Sequence, residues 1–356
     1  MNTALPSSPL LLQQDPALDA IRGIAVILVF LFHAGVQGFS GAFIGVDVFF
    51  VLSGFLITLL LLQEYQAKGS ICIRKFYMRR VLRLMPGLVV MLIVFLAFVY
   101  LRFDDQAVRQ RQTRDALLAL LYVANWVRAF DINPINMLGH TWSLASEEQF
   151  YLLWPLLMRL LLPLSSLVRS ITIASLFLLS WGWRLVLLSE GASWNRLYNG
   201  LDCRVDMLLA GCLLASLWHA GYLDFWGRSR LLSMLSVAGA ALGLAIMSTS
   251  VDWQKPPLYI WQYALVALAT SIVILEIVAS PGGLFTRILN RRWLVWPGKV
   301  SYGIYLWHFP VIALLGCMGL NLIQLALSAA SLTLLFAALS WYGVERPFLR
   351  LKKRFR

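Results

Sequence analysis

A chain of 356 residues with 60% hydrophobic and 13% charged positions, and a mean hydropathy of +0.75, is far more apolar than a soluble protein, in which about 25% of residues are charged. That composition excludes a soluble globular domain. The formal charge of +13 would suggest nucleic acid on a soluble chain, but here the bases alternate with apolar runs of bilayer-spanning length, so the charge reads as membrane topology.

In chain order, the opening MNTALPSSPLLLQQDPALDA lacks a basic n-region and a small-residue cleavage site, so residues 1–18 are expected to form a short cytoplasmic tail and not a cleaved signal. Apolar runs then fall near 21–38, 43–63, 84–102, 142–162, 171–188, 204–220, 231–248, 259–279, 300–319 and 322–343. They predict about ten transmembrane helices. The run at 117–127 is too short to span and is expected to be interfacial or re-entrant. Bases accumulate in alternate connections, as in EYQAKGSICIRKFYMRRVLR and RILNRRWLVWPGK, and in the tail LRLKKRFR, which places both termini in the cytoplasm. The expectation is an all-α, polytopic membrane bundle: one transmembrane domain over 19–345, then a basic cytoplasmic tail over 346–356. Cys72, Cys203, Cys212 and Cys317 are scattered without CxxC or a histidine at ligand spacing, so neither a disulfide framework nor a metal is expected.

Within the first run, ten uncharged residues separate Arg22 from His33. On a helix those eleven steps place the imidazole roughly 16 Å deeper than the guanidinium, and an ionisable residue at depth is a site hypothesis by default. The short FSGA connection packs the next span antiparallel, bringing Asp47 within reach of His33 to orient the imidazole as a general base; a helix cap is the alternative for Asp47. Ser53 and Gly54 lie further along, where small residues permit close packing. In RKFYMRRVLRLMP, which carries Arg74, Lys75, Arg79, Arg80 and Arg83, the charge of Arg74 and Lys75 suits positive-inside topology, whereas Arg80 and Arg83, three residues apart, share a face suited to bidentate phosphate binding. GHTWSLASEEQFYLLWP carries His140, Trp142, Glu147 and Glu148; Ser143 with Glu147, or Ser146 with Glu148, is compatible with a capped helix start, and the cluster also suits a polar, aromatic mouth for a sugar-like acceptor. His308 reads as a polar packing or acceptor-side residue and His219 as an interfacial one, Arg204 and Asp206 as mouth residues or a mutual pair, and Glu345 with Arg346 as an ion pair.

The motifs LDAIRGIAVILVFLFH, FIGVDVFFVLSGFLIT, RRVLRLMP, HTWSLASEEQFYLLWP, RVDMLLAGCLLA, VSYGIYLWHFP and ERPF occur in the order seen in the acyltransferase family 3 membrane proteins, which the chain resembles over residues 17–350. Arg22 and His33 match that family's arginine, ten residues, histidine motif, and Arg80 with Arg83 its paired arginines. The resemblance implies a ten-helix O-acyltransferase that moves an acyl group, usually acetyl, from cytoplasmic acyl-CoA to a hydroxyl of a surface carbohydrate such as lipopolysaccharide or exopolysaccharide. It places the protein in the cytoplasmic membrane of a bacterium. Some members add a helix and an extracytoplasmic esterase-like domain, which this sequence does not continue into.

The expected catalytic residues are His33, Asp47 and Glu147. Arg22, Arg79, Arg80 and Arg83 are expected to hold the donor, and Ser53, His140, Trp142 and Glu148 the acceptor, lipid-linked or free. His33 would act as base or as an acyl-histidine nucleophile. A proton-coupled transporter of a small solute or lipid-linked sugar is the alternative, since it too needs intramembrane His, Asp and Arg. A receptor for lipid or sugar would leave Arg80 and Arg83 without a ligand. The crowding of motifs into 19–155, with no matching second half, favours the enzyme.

Overall fold

The computed structural model describes residues 15–132 and 136–351. Most of the expected N-terminal tail and the end of the basic tail lie outside them. Among the described residues every regular element is helical. α1 (Pro16–His33) starts where the Asp15 carboxylate accepts from Ala17 N at 2.8 Å with Pro16 at the first helical position, a start that uses an orphan amide and a preset φ. A short 3₁₀ turn (Ala42–Ile44) leads to α2 (Gly45–Lys68), which stops at Gly69 with φ of 67°, the left-handed exit glycine permits. α3 (Ile73–Arg102) is followed by α4 (Gln106–Leu120) and α5 (Ala124–Ala129). The stretch expected not to span is thus two short helices, broken at Tyr122 with φ of 54°.

Then come α6 (Thr141–Leu161), α7 (Ser166–Ser189), α8 (Trp194–Asn199), α9 (Leu201–His219) and α10 (Arg230–Ser250). A π turn (Leu258–Gln262) opens α11 (Tyr263–Ala279), and α12 (Leu284–Leu289), α13 (Arg292–Lys299), α14 (Ser301–Gly316), α15 (Leu322–Ser340) and, after a second π turn (Trp341–Glu345), α16 (Arg346–Leu351) complete the chain. Among the described residues, seven helical stretches are long and apolar enough to cross a membrane. The chain is a multi-pass membrane protein. The other three expected spans correspond to α6, α9 and α14. The first two carry acids and bases in their sequence, and α14 has only 16 residues.

Leu160, Leu178, Leu179 and Leu335 are more than half exposed, at 70%, 55%, 67% and 51%, as a lipid-facing surface requires. The interior is set by close approach of α2 to α9. A Cβ on Gly54 would stand 1.9 Å from the Leu208 carbonyl oxygen, and one on Gly211 would stand 1.9 Å from that of Val51. Each glycine meets the other helix's backbone, the small-residue packing that brings membrane helices together.

Several local expectations are corrected. Ser143 and Ser146 do not cap α6; the helix begins at Thr141, and their hydroxyls donate back to the carbonyls of His140 (3.2 Å) and Trp142 (3.1 Å). Glu345 accepts from Ser340 Oγ at 2.9 Å in place of pairing with Arg346. His219 meets Gln66 at 3.0 Å.

Gly54→Ala is expected to destabilise the bundle by ~1–3 kcal/mol, the usual cost of overpacking. Gly182→Ala, where nothing lies within 4 Å of the added carbon, is expected to leave stability unchanged. Thermal unfolding in detergent, followed by tryptophan fluorescence, measures both. Equal midpoints would mean that α2 and α9 do not touch at Gly54.

Candidate active site

Five helices enclose a cavity with about 800 Å³ of empty space, its open mouth included. α1 contributes Arg22, α2 contributes Phe49 and Ser53, α3 contributes Arg80 and Arg83, α6 contributes Ser143, Glu147 and Tyr151, and α14 contributes Ser301, Tyr302 and Tyr305. Ser143, Glu147 and Tyr151 recur every four residues, so one face of α6 supplies all three. The Glu147 carboxylate accepts hydrogen bonds from Ser53 Oγ and Tyr151 OH. Gly54, beside Ser53, turns to α9 while Ser53 turns to the cavity.

Arg22 pairs with Asp19 at 2.8 Å. Arg80 lies 4.0 Å from the centre of the Tyr151 ring, and neither Arg80 nor Arg83 has a hydrogen bond or ion pair among the described residues. Glu147 and Glu148 attract the two guanidiniums without bonding them, so their planar N–H forks stay open to a further anion. Arg79 is placed differently: it pairs with Glu64 at 3.3 Å and is not among the residues that line the cavity. Glu147 and the arginines line one cavity. Glu148 stands beside it with Oε1 buried and unbonded.

Beyond Tyr305 lies a cluster of histidines. His33 Nδ1 is 3.1 Å from His308 Nε2, and the His140 ring is 5.4 Å from that of His308 and stacked on Phe309 at 5.2 Å. Tyr305 joins the two sites: its ring lines the cavity, and its hydroxyl bonds Ser143 Oγ and donates to the His140 carbonyl at 3.1 Å. Both ring nitrogens of His140 lack a hydrogen-bond partner.

Asp47 does not reach His33 as expected. Its carboxylate is held by Arg204, with both side chains fully buried. The Arg204 guanidinium also lies 3.9 Å from the centre of the Tyr263 ring. Asp206 is taken by Arg184 at 2.7 Å, whose Nη1 and Nε also donate to the carbonyls of Cys203 (2.6 Å) and Tyr259 (3.1 Å). Arg204 and Asp206 therefore pair outward and not with each other. Trp142 is buried against Tyr198, ring centres 4.9 Å apart, and does not line the cavity.

His308 is the functional candidate that sequence reasoning missed. Its signal was a histidine inside an apolar run, the same signal that singled out His33. No group of three or more His, Cys, Asp or Glu side chains among the described residues could hold a metal.

The family model described as "Acyltransferase domain" (acyltransferase 3) matches residues 15–344. The chain is similar to the O-acetyltransferase OatA of Staphylococcus aureus, 35% identical over 347 residues that cover 93% of this chain and 57% of the relative. It is also similar to the peptidoglycan O-acetyltransferase OatA of Listeria monocytogenes, 34% identical over 93% of this chain and 55% of the relative. The chain thus spans little more than half the length of these relatives. No solved structure matches it. The transporter alternative finds no support in these matches.

The Asp47 and Arg204 pair carries its own expectation. Removing one partner leaves the other charge buried and uncompensated, which costs ~3–5 kcal/mol, whereas replacing both by apolar side chains restores much of the loss. Asp47→Asn and Arg204→Met should each lower the unfolding midpoint in detergent, and Asp47→Leu with Arg204→Met should recover it in part. A double variant as unstable as the sum of the singles would argue against a pair.

Proposed function

Since the chain belongs to the acyltransferase 3 family, we propose that it is a membrane O-acyltransferase that moves an acyl group, acetyl foremost, from acyl-CoA to a hydroxyl of a cell-envelope carbohydrate, lipid-linked or polymeric. The observation that carries this reading is the pair of arginines with no direct ion pair, Arg80 and Arg83, in a cavity whose wall at Tyr305 packs on His308, the residue that contacts the histidine ending α1. The peptidoglycan named for the Listeria relative is the first acceptor to test. We place both termini and the arginine mouth in the cytoplasm, with α6, α9 and α14 completing a ten-span domain over 19–345 between the tails 1–18 and 346–356.

In this reading Arg80, Arg83 and Arg22 hold the phosphates of the donor. The pantetheine arm runs along the cavity past Ser53, Glu147 and Tyr151, covering roughly the 16 Å between the levels of Arg22 and His33. His33 removes the proton of the acceptor hydroxyl as its oxygen attacks the thioester carbonyl. The tetrahedral intermediate then collapses, expelling the thiolate, and the imidazolium returns the proton to sulfur. Glu147 orders Ser53 and Tyr151 on the wall beside the thioester, and His140 and Glu148 flank the acceptor's approach. Asp47 holds Arg204 and with it the packing of α2 on α9.

The test is a titration with acetyl-CoA, followed by mass spectrometry of peptidoglycan fragments incubated with protein and donor. Arg80→Lys and Arg83→Lys keep the charge but lose the planar fork, removing about 1.5–3 kcal/mol and weakening donor affinity by roughly 10- to 100-fold each. Arg79→Lys, outside the cavity, should bind as the parent does. Equal affinities for all three would take the donor away from the cavity.

His33→Ala should keep donor affinity and lose transfer. More than a tenth of parental transfer at equal folded yield would remove His33 from the role of base.

A further inference from the structure

We propose that His308 is a positioning residue that holds His33 in a single tautomer, with the proton on Nδ1 and the lone pair on Nε2. The inference deepens the reading of His33 as the base and rests on it. Among the described residues, the side chain that hydrogen-bonds the His33 ring is His308, through Nε2 at 3.1 Å from His33 Nδ1. One proton lies between those two nitrogens, and either ring could supply it.

The other nitrogen of His308 decides. Its Nδ1 lies 2.7 Å from the carbonyl oxygen of Tyr305 and 3.2 Å from that of Ile304. Carbonyl oxygens only accept, so Nδ1 carries a proton. His308 is fully buried and no carboxylate bonds it, so the ring is neutral: an unpaired imidazolium there would go without compensation. A neutral imidazole has one N–H. With that proton directed at the backbone of α14, His308 Nε2 is an acceptor and His33 Nδ1 must donate to it.

His33 Nε2 is then the bare nitrogen, the atom able to take a proton from a hydroxyl. The geometry also survives the transfer, because protonated His33 still donates from Nδ1 to His308. The Val29 carbonyl, one turn back on α1, is a second acceptor at the ring, and His308 is the side-chain acceptor that a substitution can remove. His140 has no such side-chain anchor among the described residues. This is the arrangement in which a second group fixes which nitrogen of a histidine is basic.

The experiment uses the full chain in detergent, labelled with ¹⁵N-histidine, with the His33 resonances identified by their loss in His33→Asn. Nitrogen shifts distinguish a protonated from a bare ring nitrogen. In the parent, His33 should read as Nδ1–H with bare Nε2. In His308→Leu, which offers no acceptor, the Nδ1–H form should give way to a mixture, and kcat for acetyl transfer should fall roughly 10- to 100-fold with the donor KM unchanged. His308→Gln offers an oxygen acceptor at about the reach of Nε2 and should restore both the tautomer and most of kcat. A parent with Nε2–H, or a His308→Leu protein whose His33 stays Nδ1–H, overturns the inference. A His308→Leu protein that changes tautomer and keeps its kcat supports the positioning contact and counts instead against His33 as the base.

Discussion

A charged or hydrogen-bonding side chain placed within a bilayer must find its partner inside the protein, and the arrangement of this bundle follows from that constraint. Asp47, Arg204, Arg184 and Asp206 are all buried, and each acid is taken by an arginine. The pairs are stable only where the helices bearing them are held in register. Gly54 and Gly211 supply that register by letting α2 and α9 meet backbone to backbone. Packing and electrostatics are one device here: the glycines set the distance that the ion pair needs, and the pair penalises any slip.

The same constraint separates structural charges from reactive ones. Where every cation has an anion, the function is packing. Arg80 and Arg83 break the rule, since they line a cavity opposite Ser53, Glu147 and Tyr151 with no anion bonded to either. Glu147 and Glu148 offset part of that charge, and a phosphorylated donor is the anion proposed to bond the open guanidiniums. Arg79, one residue away on the same helix, satisfies itself on Glu64 and carries no such demand.

Sequence alone located much of this. The runs of apolar residues coincide with the long helices, and the spacing of Arg22, His33, Arg80 and Arg83 marked side chains that do end up at the cavity or just beyond it. What it could not supply was the pairing. FSGA is short enough to make α1 and α2 neighbours, which made Asp47 a natural partner for His33; but pairing depends on which face of α2 meets which helix, and that face is fixed by contacts with α9, some 150 residues later in the chain. Ser143 and Ser146 resembled caps because serines followed closely by acids are common at helix starts, and the same run also fits the first turns of a helix interior. His308 was passed over because no acid or small-residue motif flanks it, and its importance lies in a contact 275 residues away in sequence.

The geometry of α14 ties these threads together. Tyr305 and His308 are three residues apart and so share a face, one lining the cavity and the other touching His33. Tyr305 also ties its hydroxyl to Ser143 and to the carbonyl of His140, so the start of α6 and the middle of α14 cannot move independently. A thioester arriving along the cavity therefore meets a wall whose far side is the imidazole cluster. Chemistry at that boundary requires the acyl carbon to pass the Tyr305 ring, or the ring to turn aside, and the hydrogen bonds that hold the ring are the ones that hold His140 in place. In the proposed reading, arrival of the donor and alignment of the histidines are coupled through this single aromatic side chain.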